Sequence, residues 1–233
     1  YNAIQERGLK LMVDCPDPGW GSPVGNSLER GIGYTMPHFR DHFGAFSDRY
    51  VLIGGAAVDL LMSHAGIDYR LTKDLDVVLL VESLDAQFGT AFWEFIDAGG
   101  YEHRHKSSGK PCFYGFHSPA DDSYPYMIEL FARREGLIGQ PAGAVIGRLS
   151  VAAEVSSLSA IMLDDDYYDF VRSGVTLLDR VPLLGASHLI PLKARAWVDL
   201  TDRRARGEEV SSDDIRKHRA DVVRLSQLLS ADE

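Results

Sequence analysis

Asp74 and Asp76 are the residues of this chain whose type and spacing best suit chemistry. One residue, Leu75, separates them. They lie at the beginning of an almost continuous Leu/Val run, residues 75–81, which predicts a strand buried on both faces. Because side chains alternate along a strand, both carboxylates point to the same face. Two neighbouring anions beside an apolar core are unfavourable unless a cation lies between them, so the pattern predicts bound Mg²⁺, with Mn²⁺ as an alternative. The competing interpretation is an ordinary polar edge where a turn becomes a strand.

Glu129 is a third acid, and it interrupts the apolar residues 126–132, which predict another strand. A Glu inside such a strand needs a partner. If the two strands are neighbours, three carboxylates can hold one or two divalent ions and clamp the attacking and leaving oxygens of a phosphoryl displacement. Glu129 could also help to deprotonate the attacking hydroxyl. The alternative for Glu129 is a structural ion pair with Arg133 or Arg134.

Gly54 and Gly55 lie between a short apolar run, residues 50–53, and residues 56–65, which have helical composition. This order predicts a strand, a tight turn and a helix. Without Cβ atoms in the way, backbone N–H groups at the start of the helix could face a phosphate group. A simple strand-to-helix turn is the alternative.

The elements around these residues predict an α/β (α+β) fold, in which a mixed sheet carries flanking helices. We expect a loop-rich lead-in with a short helix at residues 1–48, a core at residues 49–148, and a mostly helical region at residues 149–233. Ser187 and Ser212 are candidate N-caps, and Gly99-Gly100 and Gly207 are candidate helix stops. Further strands are predicted at residues 101–105, 112–116 and within 175–184. Helices are predicted at residues 37–46, 84–98, 151–163, 187–206 and 212–229.

Composition limits the function classes. The chain has 233 residues, of which 45% are hydrophobic, so it can bury a substantial core. Its two cysteines show no paired spacing, and no run is long and apolar enough to span a bilayer, so we expect a cytoplasmic protein. A formal net charge of −10 argues against broad nonspecific binding of nucleic acid.

Basic residues nevertheless concentrate near the C-terminus. They could form a patch that docks the acceptor end of a tRNA, or they could belong to a solvated helical face interleaved with Asp199, Asp202, Glu208 and Asp221. The basic residues are Arg195, Arg203, Arg204, Arg206, Arg216, Lys217, His218, Arg219 and Arg224.

The motifs resemble those of the DNA polymerase β-like nucleotidyltransferase superfamily, and within it the AbiEii-type toxins of type IV toxin–antitoxin and phage-abortive systems. The family's Gly-Gly helix is similar to LIGGAAVDL at residues 52–60, and its Arg-x-Ser/Thr-x-Asp-x-Asp strand to RLTKDLDV at residues 70–77. Its helical Lys motif is similar to LIPLKARAW at residues 189–197, and its Asp-x-x-Lys-His element to DIRKH at residues 214–218. The resemblance covers residues 50–225 approximately.

The resemblance implies an enzyme that moves an NMP from an NTP to a hydroxyl acceptor with Mg²⁺. Lys193 would then contact the nucleotide phosphates and Asp214 would support the site, although each could be an ordinary helix-surface residue. Arg70, Thr72 and Lys73 would join Gly54 and Gly55 in binding the nucleotide. Gly55 stands where the wider superfamily has Ser, so a phosphate-binding hydroxyl would have to come from elsewhere, for instance from Thr72.

The acceptor and the partners are less constrained. The resemblance to toxins favours a tRNA 3′ end as acceptor and implies a cognate antitoxin. A protein side chain or a small molecule such as an aminoglycoside is an alternative acceptor. A catalytically silent nucleotidyltransferase fold that serves as a binding or regulatory protein is the rival from another class.

Overall fold

The computed structural model describes residues 32–70, 72–103, 114–133, 146–148, 159–163 and 165–229. In chain order the elements are α1 (Ile32–Phe43), β1 (Tyr50–Ile53), α2 (Gly54–His64), β2 (Asp74–Leu79), α3 (Ala86–Gly99), β3 (Gly115–His117), β4 (Met127–Arg133), β5 (Ile146–Arg148), β6 (Ser159–Leu163), α4 (Asp165–Ser173), β7 (Val175–Leu178), β8 (Val181–Leu184), α5 (Ala186–Ala205) and α6 (Ser212–Leu225). The protein is therefore a mixed α/β protein, as predicted.

The strands of the described residues form one eight-stranded mixed sheet. Its order is β5-β6-β4-β2-β1-β8-β7, and β3 pairs with β4 beside this path. The neighbours β2 and β4 are parallel, whereas β1 runs antiparallel to β2 and parallel to β8. Strands β2 and β4 therefore lie at the centre of the sheet and start from the same edge.

Helix α1 and helix α3 supply the aromatic part of the core. Phe39 of α1 makes edge-to-face contacts with Tyr50 of β1 at 5.6 Å and with Phe95 of α3 at 5.6 Å between ring centroids. All three side chains are buried. Such pairs add to the burial of apolar area. Helix α1, within the predicted lead-in, is thus part of the core, while residues 1–31 lie outside the described residues.

Local signals explain where α3 begins and ends. The carboxylate of Asp85 accepts a hydrogen bond from the Phe88 N–H at 2.9 Å, which caps the first turn. Gly100 follows the last turn with φ +63°, in the left-handed region where glycine is favoured. The predicted stop at Gly100 is therefore confirmed.

Three details of the predicted elements are wrong. Residues 159–163, predicted as the end of a helix, form strand β6, and residues 151–158 lie outside the described residues. The N-caps of α5 and α6 are Gly185 and Ser211, rather than Ser187 and Ser212. Within residues 101–103 the predicted strand is reduced to an isolated bridge between Glu102 and His117.

The sheet continues across the boundary expected at residue 148. Strand β5 ends there and pairs with β6, and β8 pairs with β1. The C-terminal region thus contributes both helices and strands to the same sheet. Helices α5 and α6 pack on each other, and both contact α2. None of the helices within the described ranges has the length and apolar character needed to cross a bilayer.

Candidate active site

The three predicted acids lie on adjacent central strands. Asp74 and Asp76 are the first and third residues of β2, so they share a face of the sheet. In the parallel register of β2 with β4, Asp76 is the partner of Glu129. The expectation that the Glu129 strand neighbours the Asp74 and Asp76 strand is confirmed.

Crowding and burial make these carboxylates hard to ionise. Burial, followed by the charge of Asp74, raises the pKa of Asp76 to about 6. Burial and then the charges of Asp76 and Asp74 raise the pKa of Glu129 to about 8. Burial also raises the pKa of Asp74, against the opposing effect of Lys217 and other cations. The cluster therefore concentrates negative charge that a bound cation would stabilise.

Gly54 and Gly55 bring the first turn of α2 against Asp76. Gly54 has φ +68°, and a Cβ at this position would lie 1.8 Å from Oδ2 of Asp76. The Gly55 N–H donates a hydrogen bond to the Asp76 carboxylate, which opposes part of the rise in its pKa. The N-cap residue of α2, Ile53, makes no side-chain cap hydrogen bond, so the Asp76 carboxylate serves as an acceptor at this helix N-terminus.

Lys193 reaches the site from α5 and is 6% exposed. Burial lowers the pKa of Lys193, whereas Asp221 and Asp76 act in the opposite direction. Its Nζ lies 3.1 Å from Oδ2 of Asp221, a carboxylate of α6 with 0% exposure. The surface interpretation of Lys193 is therefore wrong, because the side chain is buried between two acids.

Arg70 and Thr72 lie in the segment that leads into β2. Both line the same cavity as the acids, and an Arg70 guanidinium N–H donates to the Thr72 hydroxyl at 3.4 Å. A Cβ at Gly55 would lie 3.0 Å from Thr72 Cγ2, so these residues surround the start of α2 closely. The hydroxyl of Thr72 is thus placed beside the glycine turn, where a phosphate-binding hydroxyl was expected.

Helix α6 adds two residues that were not in the predicted site, Lys217 and His218. Both line the cavity. Burial, followed by the charges of Lys193 and Lys217, lowers the pKa of His218 to about 4, so its imidazole is neutral at neutral pH. Asp214 lies outside the cavity lining, and its carboxylate accepts a hydrogen bond from Lys217 at 3.4 Å. Asp214 therefore contacts the cavity through Lys217.

These side chains enclose a cavity of about 270 Å³. Its lining includes acids from β2 and β4 and cations from the segment before β2, from α5 and from α6. The remaining wall is apolar and comprises Met127, Phe131, Leu189, Leu192 and Ala196. A ligand with both anionic and apolar parts matches this lining.

The donor set fits a hard divalent ion held together with a substrate. Among the residues that the structure describes, no three His, Cys, Asp or Glu side chains converge as a ready-made metal site. Mg²⁺ commonly takes one or two carboxylates and completes its shell with waters and substrate phosphates. Asp74 and Asp76 suit this mode of binding. The role of Glu129 as a third ligand stays a prediction.

Lys73 and Arg133 do not have the positions that the sequence analysis suggested for them. Lys73 is absent from the cavity lining, although its charge favours ionisation of Asp74. Arg133, the alternative ion-pair partner of Glu129, instead contacts Asp165 at 2.8 Å and Glu82 at 3.3 Å. Arg134 lies outside the described residues.

Acids neutralise part of the basic C-terminal group. Glu208 accepts from Arg203 at 2.7 Å and from Arg206 at 2.9 Å. Arg216 pairs with Asp213, and Lys217 with Asp214. For these residues, the ion pairs agree better with a solvated helical face than with a basic patch that is free to bind RNA. Asp221, however, was expected on that solvated face and is buried.

Comparisons with known proteins do not assign a family or a structural relative to this chain. No family model matches the chain, and no solved structure matches it.

Proposed function

We propose that the protein is a Mg²⁺-dependent nucleotidyltransferase that moves an NMP from an NTP to a hydroxyl acceptor. The observation that carries this proposal is the register pairing of Asp76 with Glu129, with Asp74 on the same face and the glycine turn of α2 beside it. The buried Lys193 lines the same cavity as these acids. Paired acids, a helix N-terminus and a buried cation are the parts that transfer of a phosphoryl group needs.

Each part has a distinct chemical role in the proposal. Asp74 and Asp76 would hold Mg²⁺, which when bound would neutralise charge on the transferred nucleotidyl group and on pyrophosphate. Lys193, Arg70 and the start of α2 bind the phosphate oxygens. The acceptor oxygen forms a bond to the α-phosphorus as the bond to pyrophosphate breaks. The metal-free pKa of Glu129 is about 8, and the positive charge of bound Mg²⁺ would lower it. Glu129 would then take the proton of the attacking hydroxyl.

For the acceptor, a tRNA 3′ end is the leading hypothesis, and it rests on the resemblance to toxin enzymes. The same resemblance suggests that a cognate antitoxin controls the activity. A protein side chain or an aminoglycoside-type small molecule would use the same nucleotide site with a different second substrate.

Nucleotide binding is the first test. Each of ATP, GTP, CTP and UTP is added to the protein with and without Mg²⁺, and the melting temperature is measured. A ligand that binds only the folded state raises that temperature. We expect a Mg²⁺-dependent increase for at least one NTP. Absence of an increase for all four would favour the catalytically silent rival.

Transfer is the second test. The protein is incubated with Mg²⁺, each NTP labelled on the α-phosphate, and either total tRNA, cell protein or an aminoglycoside. If tRNA becomes labelled, and the label can be released from its 3′ end, the result supports a tRNA 3′ end as the acceptor. Label on protein or on the small molecule alone would replace tRNA by that class of acceptor.

A further inference from the structure

Asp221 lies behind the cations of the cavity and is the most completely buried acid of the site. Its exposure is 0%. Oδ1 accepts a hydrogen bond from the Tyr69 hydroxyl at 2.7 Å. Oδ2 lies 3.1 Å from Nζ of Lys193 and 3.6 Å from a guanidinium nitrogen of Arg70. One carboxylate thus contacts three donors that come from two other parts of the chain.

The three charged side chains differ in how they meet the cavity. Asp221 contributes one negative charge, while Lys193 and Arg70 contribute two positive charges. Both cations line the cavity, whereas Asp221 does not. Asp76, which also lines the cavity, attracts the Lys193 ammonium as well. Asp221 therefore contacts both cations without lining the space that an anionic ligand would enter.

Helix geometry explains how Asp221 comes to this position. Lys217 and His218 precede it by four and three residues, so all three share one face of α6. That face closes the cavity and packs toward α5, where Lys193 lies. Burial raises the pKa of Asp221, but Lys193, the Tyr69 hydroxyl and Arg70 together outweigh burial and hold the pKa below its ordinary value.

We propose that Asp221 is a positioning residue that holds the Lys193 ammonium and the Arg70 guanidinium at the cavity wall, so that both can bind the phosphates of an NTP. This proposal rests on the proposed nucleotidyltransferase function. Asp221 itself does not touch the nucleotide. It acts through Lys193 first, because that contact is the shorter one.

The experiment measures the affinity of each Mg²⁺–NTP by calorimetry for the full chain and six variants. Asp221→Asn keeps the shape of the side chain but removes its charge. Asp213→Asn is the matched control, because it removes a carboxylate of the same helix that is exposed and paired with Arg216. Lys193→Met alone, and combined with Asp221→Asn, completes a double-mutant cycle. Tyr69→Phe, alone and combined with Lys193→Met, removes the hydrogen bond that orients Asp221 and leaves its charge.

We expect Asp221→Asn to weaken NTP binding by about ten-fold or more. Asp213→Asn should bind as the parent does, and Asp221→Asn should add little once Lys193 is Met. Parent-like binding by a folded Asp221→Asn variant would overturn the positioning role, as would a full additional loss in the Lys193→Met background.

Circular dichroism establishes whether each variant is folded. If Asp221→Asn does not fold, Tyr69→Phe decides: a loss of several-fold that disappears in the Lys193→Met background supports the proposal, and parent-like affinity overturns it. A parent protein that binds none of the NTPs would instead overturn the proposed function, and the positioning role would fall with it.

Discussion

Asp76 is the residue on which most contacts of the site converge. Its carboxylate occupies the space where Gly54 would carry a Cβ, accepts the Gly55 N–H, and stands beside Glu129 in the sheet register. It also lies close enough to Lys193 for their charges to interact. A substitution at Asp76 should therefore change catalytic activity and protein stability in different directions.

Replacing Asp76 or Asp74 by Asn should abolish the Mg²⁺-dependent rise in melting temperature with NTP. It should also lower the rate of nucleotidyl transfer by about 100-fold or more, because several kcal/mol of charge stabilisation are lost. Without metal, Asp76→Asn should be at least as stable as the parent near pH 8, since the raised pKa shows that ionisation is unfavourable there. Melting temperatures with and without Mg²⁺–NTP, together with transfer rates, test both. The exposed Asp97→Asn is the control, and a parent-like rate in Asp76→Asn would contradict the metal role.

Glu129 should make the metal-free protein less stable as the pH rises. Its folded pKa of about 8 exceeds the ordinary 4.5, so its stabilising contribution, present at low pH, is lost as the pH rises toward 8. Above pH 6.5 the titration of Asp76, with a pKa of about 6, is largely complete. The unfolded chain still loses the His218 proton around its ordinary pKa of 6.5, which raises stability with pH, but this contribution is the same in the parent and in Glu129→Gln. In EDTA, the melting temperature of the parent should fall between pH 6.5 and 8, and that of Glu129→Gln should fall less. Equal slopes would show that Glu129 is not held in this environment.

The residues of the site differ in how well the sequence predicts them. Asp74, Asp76 and Glu129 are visible because charges stand out within apolar strands, and period-two alternation fixes their common face. Lys193 was predicted from the resemblance of residues 189–197 to the family's helical Lys motif. Asp221 was not, because nothing in the pattern of α6 distinguishes a buried acid from the exposed acids around it. Its burial depends on how α5 and α6 pack.

At the scale of elements, the site is built where β1 turns into α2 next to the start of β2. The turn requires a left-handed residue at Gly54, and antiparallel pairing places Ile53 opposite Asp76. The sequence order of strand, glycines, helix and acidic strand predicts this unit well. It does not predict β6, because a short apolar segment fits a buried strand or a helix equally well.

Gly54→Ala should damage both folding and nucleotide binding, because a Cβ would meet the Asp76 carboxylate in addition to the strain of a positive φ. Gly66→Ala is a matched control: its φ is +70°, but a Cβ there would have nothing within 4 Å. We expect Gly66→Ala to lose about 1–2 kcal/mol of unfolding free energy and to keep its NTP response. Gly54→Ala should lose more and bind NTP weakly. Chemical denaturation and NTP thermal shifts measure the difference, and similar behaviour of both variants would contradict the contact with Asp76.

At the scale of the whole molecule, charge limits how an RNA could bind. The net charge is −10, and several basic residues of the C-terminal helices are paired with acids. Among the described residues, the basic side chains of this region without an acidic partner include Arg195, Arg204 and Arg219. A polynucleotide acceptor would therefore contact few cations, and its binding should depend only modestly on salt.

A variant with Gln at positions 195, 204 and 219 should bind tRNA more weakly and show a smaller salt slope, by about one for each lost phosphate contact. Its thermal shift with Mg²⁺–NTP should remain. Arg206→Gln is the control, because Arg206 is paired with Glu208. Filter binding over a range of salt concentrations measures the slope. An unchanged slope in the triple variant would place the tRNA on another surface.

Local sequence patterns could not predict the pairing of β1 with β8, because its partners Leu52 and Leu183 are far apart in the sequence. This pairing has a practical consequence for expression. A fragment that ends near residue 148 would lack β6 and β8, so β1 would lose its partner on one side and β4 would keep only β3, at residues 127–129, on its outer side. Because bare ladders of this kind recruit other chains, we expect such a fragment to form insoluble aggregates.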